Sequence, residues 1–169
     1  MLMIGDIELH LIDDMTNKID PGGAFGLVPR ALWSRYVTPD ENHLIRMQQV
    51  NLLLKAGGKN IIVDTGYGSK IDERQLAYLQ PQRPPGGLTR GLAQLGLHPS
   101  DIDLVIDTHL HGDHCGGNTY YDAAGQIQPT FPNAEYVVQR REYEDAMQPN
   151  ERTRATYHPE NYQPLVESG

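Results

Sequence analysis

The chain has 169 residues, which is the length of one ordinary domain and enough to bury a hydrophobic core. Fourteen basic residues against 22 acidic ones leave a formal charge of −8, so general attraction to nucleic acid or to an anionic membrane is not expected. Hydrophobic residues make up 38% of the chain, below the roughly 45–50% usual for globular proteins. Together with 17 glycines and 12 prolines, this indicates a loop-rich α/β protein rather than a helical bundle.

The N-terminal segment carries no targeting signal. It lacks a basic leader, and Asp6 and Glu8 interrupt its apolar residues, so neither a signal peptide nor a transmembrane span is predicted. The single cysteine, Cys115, excludes an intramolecular disulfide. We therefore expect one cytoplasmic domain over residues 1–169.

The first predicted element is a strand from Met3 to Ile12, with Ile7, Leu9 and Leu11 on one face. A long connection from Asp13 to Gln48 follows, because its proline and glycine content resists a regular element. Its apolar residues are too numerous for a disordered linker. They indicate either a binding or lid segment or a cover for the edge of the core.

A β-hairpin is predicted next. The strands Val50–Lys55 and Asn60–Asp64 are separated by a gap of hairpin length that contains two glycines, which predicts antiparallel pairing. The second strand ends in the sequence Asp-Thr-Gly, beginning at Asp64. An aspartic protease would need two copies of this sequence in an all-β chain, so the single copy excludes that class. Two helices, Asp72–Leu79 and Leu88–Leu95, are predicted to follow.

Four strong metal-binding side chains then fall within six residues. His109, His111, Asp113 and His114 follow the apolar run Ile102–Ile106, which predicts a buried strand. Residues two apart in an extended segment point the same way, so His109 and His111 are able to bind one ion. Gly112 lets the chain turn, and Asp113 and His114 leave in new directions.

The spacing therefore predicts two neighbouring metal sites, with His109 and His111 at one and Asp113 and His114 at the other. Imidazole nitrogen and carboxylate oxygen suit zinc best and also bind manganese, iron or cobalt. The alternative is a solvated polar loop that happens to be rich in histidine. Cys115, directly after the motif, is interpreted as a small buried residue rather than a thiolate ligand.

The rest of the chain predicts a strand at Glu135–Gln139, a helix at Arg140–Met147 and a short helix at Glu151–Tyr157. His158 is the only histidine after the motif. It has no strand before it and no glycine turn around it, so we do not predict that it binds a metal.

The sequence His-x-His-x-Asp-His after an apolar strand resembles the metal-binding motif of the metallo-β-lactamase superfamily. The segment from Phe131 to Ala134 with the following strand resembles the lactonase-like and organophosphate-hydrolase-like members. The resemblance implies an α/β (α+β) fold, the αββα four-layer sandwich, of which this chain is expected to hold only the N-terminal part. It also implies that Asp64 supports a metal ligand from behind.

The function implied by the resemblance is metal-assisted hydrolysis. Hydroxide held between two divalent ions, most typically zinc, would attack a lactone, an ester or a phosphotriester, and Asp113 would orient it and assist proton transfer. Two alternatives remain open. One is a diiron redox member of the same fold, and the other is a noncatalytic metal-binding fragment.

The resemblance further implies metal ligands downstream of Gly169. The chain is therefore expected to be truncated at its C-terminus, and its activity alone is in doubt. A homodimer or a complementary C-terminal fragment is expected to complete it. The remaining partner is a small-molecule substrate, with no nucleic acid and no membrane.

Overall fold

The computed structural model describes residues 1–82 and 87–167. Within these ranges six strands form one mixed sheet in the order β1-β2-β3-β4-β5-β8, and β6 and β7 form a separate hairpin. The strands are β1 Leu2–Ile4, β2 Ile7–Ile19, β3 Ile45–Ala56, β4 Lys59–Val63, β5 Leu104–Ile106, β6 Thr119–Tyr121, β7 Ile127–Pro129 and β8 Glu135–Val137. The helices are α1 Pro21–Phe25, α2 Arg30–Trp33, α3 Glu73–Leu79, α4 Gly87–Gln94, α5 Gly112–Cys115, α6 Arg140–Met147 and α7 Gln163–Glu167.

The sheet changes from antiparallel to parallel pairing at β4. Strands β1 to β4 pair antiparallel, whereas β5 pairs parallel with both β4 and β8. Gly57 and Gly58, both at positive φ, make the β3–β4 turn, which confirms the predicted hairpin. The carboxyl ends of the parallel strands therefore lie side by side, and the histidine motif follows one of them.

The prediction of one strand from Met3 to Ile12 is wrong. The chain reverses at Gly5, which has a φ of +57°, so β1 and β2 form a hairpin. Strand β2 then continues to Ile19, inside the segment that was predicted to be a long connection. Its polar residues Asp14, Thr16 and Asn17 are buried, so the hydrophobic pattern does not mark them as a strand.

The rest of the predicted connection Asp13–Gln48 also contains regular structure. It holds α1 and α2, and β3 begins at Ile45. The Phe25 and Trp33 rings stack at 5.1 Å, and Trp33 is buried. This contact lies within the connection itself, so both interpretations of the segment stay open.

The main core lies between one face of the sheet and α4. Leu53, Ile62 and Val105 are fully buried on adjacent strands, and Leu88 and Leu92 of α4 pack against them. This confirms the second of the two predicted helices, and α3, which Asp72 caps, confirms the first.

The C-terminal elements are confirmed in part. Strand β8 and helix α6 lie where they were predicted. The predicted helix Glu151–Tyr157 is wrong: these residues form turns, and the last helix is α7.

The opposite face of the sheet is apolar and partly open to solvent. One row crosses five strands in register and consists of Leu11, Leu52, Val63, Ile106 and Val137. Leu11 is 68% exposed and Val137 is 41% exposed. No helix within the described ranges is long and apolar enough to cross a membrane.

Candidate metal centre

The motif begins where β5 leaves the sheet. The Asp64 amide donates to the Ile106 carbonyl at 3.0 Å, and the Asp107 amide donates to the Val137 carbonyl at 2.9 Å, so the ends of three strands are joined there. Residues 109–111 follow this edge, and α5 then begins with His111 at its N-cap. The local order of strand, extended segment and tight turn is the one that the sequence predicts.

The structure brings the four predicted ligands together. The ring centroids of His109 and His111 are 4.6 Å apart, and those of His109 and His114 are 3.9 Å apart. The Nε2 atom of His114 lies 3.5 Å from an Asp113 carboxylate oxygen. Among the residues that the structure describes, however, no three His, Cys, Asp or Glu side chains are arranged to hold an ion together. The cluster thus has the right ligand types without a complete coordination sphere, and the assignment of ligand pairs to two ions stays a prediction.

Asp64 lies directly behind this cluster. One carboxylate oxygen is 2.9 Å from Nδ1 of His114, and the other accepts hydrogen bonds from the Thr108 amide and hydroxyl at 2.8 and 2.9 Å. Burial would raise the pKa of Asp64, but the hydrogen bonds from His114 and Thr108 outweigh it and hold the pKa below its usual value. Because Nδ1 of His114 is bonded to Asp64, Nε2 is the atom left for an ion.

His109 and His114, the first and last residues of the motif, have opposite pKa shifts. For His114, burial lowers the pKa, but the Asp64 hydrogen bond and the Asp113 charge raise it above its usual value. For His109, burial and then the charges of His114 and His111 lower the pKa. His109 is therefore held in the neutral form, which is the form that binds a metal.

A buried polar network supports the strand end. Asp107 is 5% exposed, and one of its oxygens accepts a hydrogen bond from the Asn118 side chain at 2.8 Å. The side-chain Oδ1 atom of Asn118 accepts in turn from the Thr65 hydroxyl at 2.9 Å. The other Asp107 oxygen has no hydrogen-bond partner among the described residues. Burial raises the pKa of Asp107 to about 7.

Two backbone turns pack against each other beneath the motif. A Cβ atom at Gly117 would lie 2.3 Å from the Thr65 carbonyl oxygen, so only glycine fits there.

The Lys70 ammonium donates to the carbonyls of Gly116 and Thr119 at 2.6 and 2.5 Å. Burial lowers the pKa of Lys70 to about 8. The sequence analysis did not identify Lys70, because its partners lie 46 and 49 residues away.

Glu142 ties helix α6 to the motif. One of its oxygens accepts from the Leu110 amide at 2.9 Å and from the Tyr157 hydroxyl at 3.1 Å. The Tyr157 ring contacts the His111 ring with centroids 5.2 Å apart. The sequence gives no signal for these contacts, since Glu142 lies 32 residues from Leu110 and Tyr157 falls in a segment predicted to be helical.

The structure agrees with the interpretation of Cys115 as a small buried residue rather than a thiolate ligand. Cys115 is fully buried, and its thiol donates to the Leu110 carbonyl at 3.3 Å. Burial raises the pKa of the thiol, which keeps it protonated and a poor metal ligand.

With this site and fold, the chain belongs to the metallo-beta-lactamase superfamily, whose sequence profile matches residues 45–165. N-acyl homoserine lactonase AttM of Azorhizobium caulinodans is 40% identical over 73 residues, which are 43% of this chain and 24% of that protein. The N-acyl homoserine lactonase AiiA of Bacillus thuringiensis subsp. kurstaki is 39% identical over 56 residues, which are 33% of this chain and 18% of that protein.

Solved structures agree with this assignment. A probable metal-dependent hydrolase from Staphylococcus aureus superposes with a TM-score of 0.85 and 35% identity over 95% of this chain. AidC, a dizinc quorum-quenching lactonase, superposes with a TM-score of 0.67 and 23% identity over 92% of this chain, which shows a shared fold. The predicted mixed α/β fold is thus confirmed. The chain spans 56% and 54% of these two proteins, so it corresponds to about half of each.

Proposed function

We propose that this chain carries the metal-binding motif of a hydrolase that opens a small lactone or cleaves a small ester. The convergence of three imidazole rings beside the Asp113 carboxylate is the observation that carries the proposal. Its support from relatives is that AttM and AiiA, which match 73 and 56 residues of this chain, are named N-acyl homoserine lactonases.

Two divalent ions, most typically zinc, are the cofactor proposed for this site. His109, His111, Asp113 and His114 would hold them together with ligands from elsewhere. Such ions supply Lewis-acid activation of water and of the substrate carbonyl. The donor set of imidazole and carboxylate is one that zinc prefers, and the neutral state of His109 favours binding.

The chain's own residues have distinct roles in this proposal. Asp64 orients the His114 ring so that its Nε2 atom faces the cluster. Asp113 would accept a proton from an attacking water, and its main-chain carbonyl accepts a hydrogen bond from the Gln49 side chain at 2.6 Å. Tyr157 and Glu142 fix the position of the His111 ring.

A second candidate is a metal-binding unit without catalysis of its own. The observation in its favour is that no three ligands in the described ranges are arranged to hold an ion. In this case the chain needs a second copy or a complementary fragment to supply the remaining ligands. The apolar outer face of the sheet gives such a partner a surface to cover.

Zinc-dependent turnover tests the proposal. The purified chain, alone and together with a segment or second copy that supplies the remaining metal ligands, is assayed for hydrolysis of N-acyl homoserine lactones and aryl esters with zinc, with manganese and after chelation. We expect metal-dependent turnover that His109→Ala and Asp113→Ala each remove, while the exposed His43→Asn variant retains it. Metal binding without turnover favours the noncatalytic candidate, and turnover that either alanine variant retains contradicts the assigned roles.

A further inference from the structure

A cavity of about 310 Å³ lies next to Asp113. Its lining includes Gly112, Asp113, Thr156, His158, Glu160 and Lys70. Tyr67 also lines this cavity. The cavity therefore adjoins Asp113, the residue that accepts a proton from the reacting water in the proposed function.

The chain segment that forms one wall of this cavity is held firmly against the motif. The Gly112 amide donates to the Thr156 carbonyl at 3.0 Å, and His111 and Tyr157 form an antiparallel bridge. Tyr157 is anchored by its ring contact with His111 and by its hydroxyl. His158, the next residue, is thus positioned by main-chain contacts to the motif itself.

The His158 ring occupies the space that a side chain at position 112 would need. A Cβ atom built on Gly112 would lie 2.7 Å from His158 Cδ2 and 3.2 Å from its Nε2. The absence of a side chain at Gly112 therefore lets an imidazole approach the motif without being one of its predicted ligands. Gly112 lies in α5 without a positive φ, so this contact, rather than the conformation of the turn, is what requires glycine there.

The nitrogens of the His158 ring are available to a ligand. The closest charged group is a Glu160 oxygen, 3.9 Å from Nδ1, which is beyond hydrogen-bond distance. Across the described ranges the ring makes no hydrogen bond. A neutral imidazole offers one donor and one acceptor, so it pairs well with a group that has both, such as an amide or a hydroxyl.

The charges around the cavity point to a neutral ligand group. Glu160 contributes a carboxylate that is not one of the predicted metal ligands, whereas the ammonium of Lys70 is already bonded to two backbone carbonyls. An anionic substituent would meet repulsion that Lys70 does not offset. An apolar substituent would leave the His158 and Glu160 side chains desolvated and unpaired.

We propose that His158 is a substrate-binding residue that hydrogen-bonds a neutral polar substituent, an amide or a hydroxyl, next to the scissile lactone or ester group. The inference rests on the proposed function for the position of the reacting group. It gives a role to a histidine that lies beside the motif and is not one of its predicted ligands.

Binding of lactams that cannot be hydrolysed by a lactonase tests this inference without turnover. The probes are 3-acetamidopyrrolidin-2-one, which carries an amide, and pyrrolidin-2-one, which lacks it. Dissociation constants are measured by NMR titration of the zinc-loaded wild-type chain and of His158→Ala, His158→Gln and His43→Asn. His43 is exposed and does not line the cavity, so its variant is the matched control.

We expect the wild-type chain to prefer the amide probe. His158→Ala should reduce that preference roughly three- to tenfold, which corresponds to one hydrogen bond, and His158→Gln should keep most of it. His43→Asn should leave it unchanged. Equal affinity of the wild-type chain for the two probes, no binding of either, or an unchanged preference in His158→Ala overturns the inference.

The assay of lactone turnover separates this inference from the proposed function. Absence of zinc-dependent turnover together with a preference that depends on His158 contradicts the proposed function alone. Zinc-dependent turnover together with a preference for the amide probe that is unchanged in His158→Ala contradicts the inference alone.

Discussion

Asp64 is the residue on which the geometry of the cluster depends most. It has a φ of +58° and bonds both His114 and Thr108, so one side chain connects two parts of the motif. Asparagine tolerates this backbone conformation better than other uncharged residues of similar size. An Asp64→Asn change therefore removes the charge and spares the backbone.

We predict that Asp64→Asn lowers zinc affinity about 10- to 100-fold, because His114 loses the carboxylate that orients its ring. Isothermal titration calorimetry of the metal-free chain measures the affinity. Asp6→Asn, in the exposed turn between β1 and β2, is the control and should match the wild-type chain. Equal affinity in all three proteins would show that Asp64 has no role in orienting a ligand.

Asp107 makes the stability of the chain depend on pH. Its folded pKa of about 7 lies above the ordinary value of 3.8, so the folded chain binds this proton more tightly than the unfolded chain does. Its contribution to the free energy of unfolding is therefore complete below about pH 4 and is lost as the pH rises to about 7. The loss is at most on the order of 4 kcal/mol.

We predict that Asp107→Asn removes this part of the pH dependence. Urea unfolding between pH 4 and pH 8, with a chelator present, measures the difference between the wild-type and variant free energies of unfolding. That difference should move in favour of the variant as the pH rises. A difference that is constant across the range contradicts the assigned burial of the carboxylate.

At the residue scale, the sequence predicts side chains that act through local spacing. His109 to His114 lie within six residues, and the structure brings them together as expected. Glu142 and Lys70 were not predicted, because their contacts span 32 and 46 residues and neither belongs to a local pattern. His158 was considered only as a metal ligand, and its fit against Gly112 depends on the folded backbone.

At the scale of elements, the site depends on close packing of backbone turns. Gly117 faces the Thr65 carbonyl so closely that no side chain fits between them. We predict that Gly117→Ala lowers the free energy of unfolding by about 1–3 kcal/mol, because the two turns must separate. Thermal unfolding measures the change.

Gly23→Ala is the matched control for this substitution. Gly23 is exposed in α1, and a Cβ atom there meets no atom within 4 Å, so alanine should leave the stability unchanged or raise it slightly. Equal effects of the two substitutions would contradict the packing of the turns.

The elements that the sequence predicts well are those whose residues alternate or repeat in a simple way. The β3–β4 hairpin and α6 have such patterns, and both are confirmed. The second half of β2 was predicted to be a connection because its buried face carries Asp14, Thr16 and Asn17. Burial of polar side chains depends on partners such as the Tyr67 amide, 53 residues from Asp14, which a local pattern does not contain.

For the molecule as a whole, the outer face of the sheet is the surface from which we predict association. Its apolar row crosses five strands, and the described residues leave much of it open to solvent. Ile7, Leu9 and Leu11 share a face as predicted, but it is this outer face rather than the one that packs on α4. Local alternation identifies a face without indicating what covers it.

We predict that the purified chain associates through this surface, because burying apolar area is favourable. Sedimentation velocity should show a dimer or larger species that Leu11→Lys shifts towards the monomer. Leu27→Lys is the control, since Leu27 is fully exposed outside the sheet. A wild-type chain that is monomeric at all concentrations contradicts the prediction.

The central claim is that the histidine motif of this chain binds divalent metal. Zinc content after dialysis, measured by mass spectrometry on the wild-type chain, His109→Ala, His111→Ala and His43→Asn, tests it most directly. We predict that the wild-type chain and His43→Asn retain zinc and that both motif variants lose it. Equal zinc content in all four proteins, or no zinc in the wild-type chain, would contradict the claim.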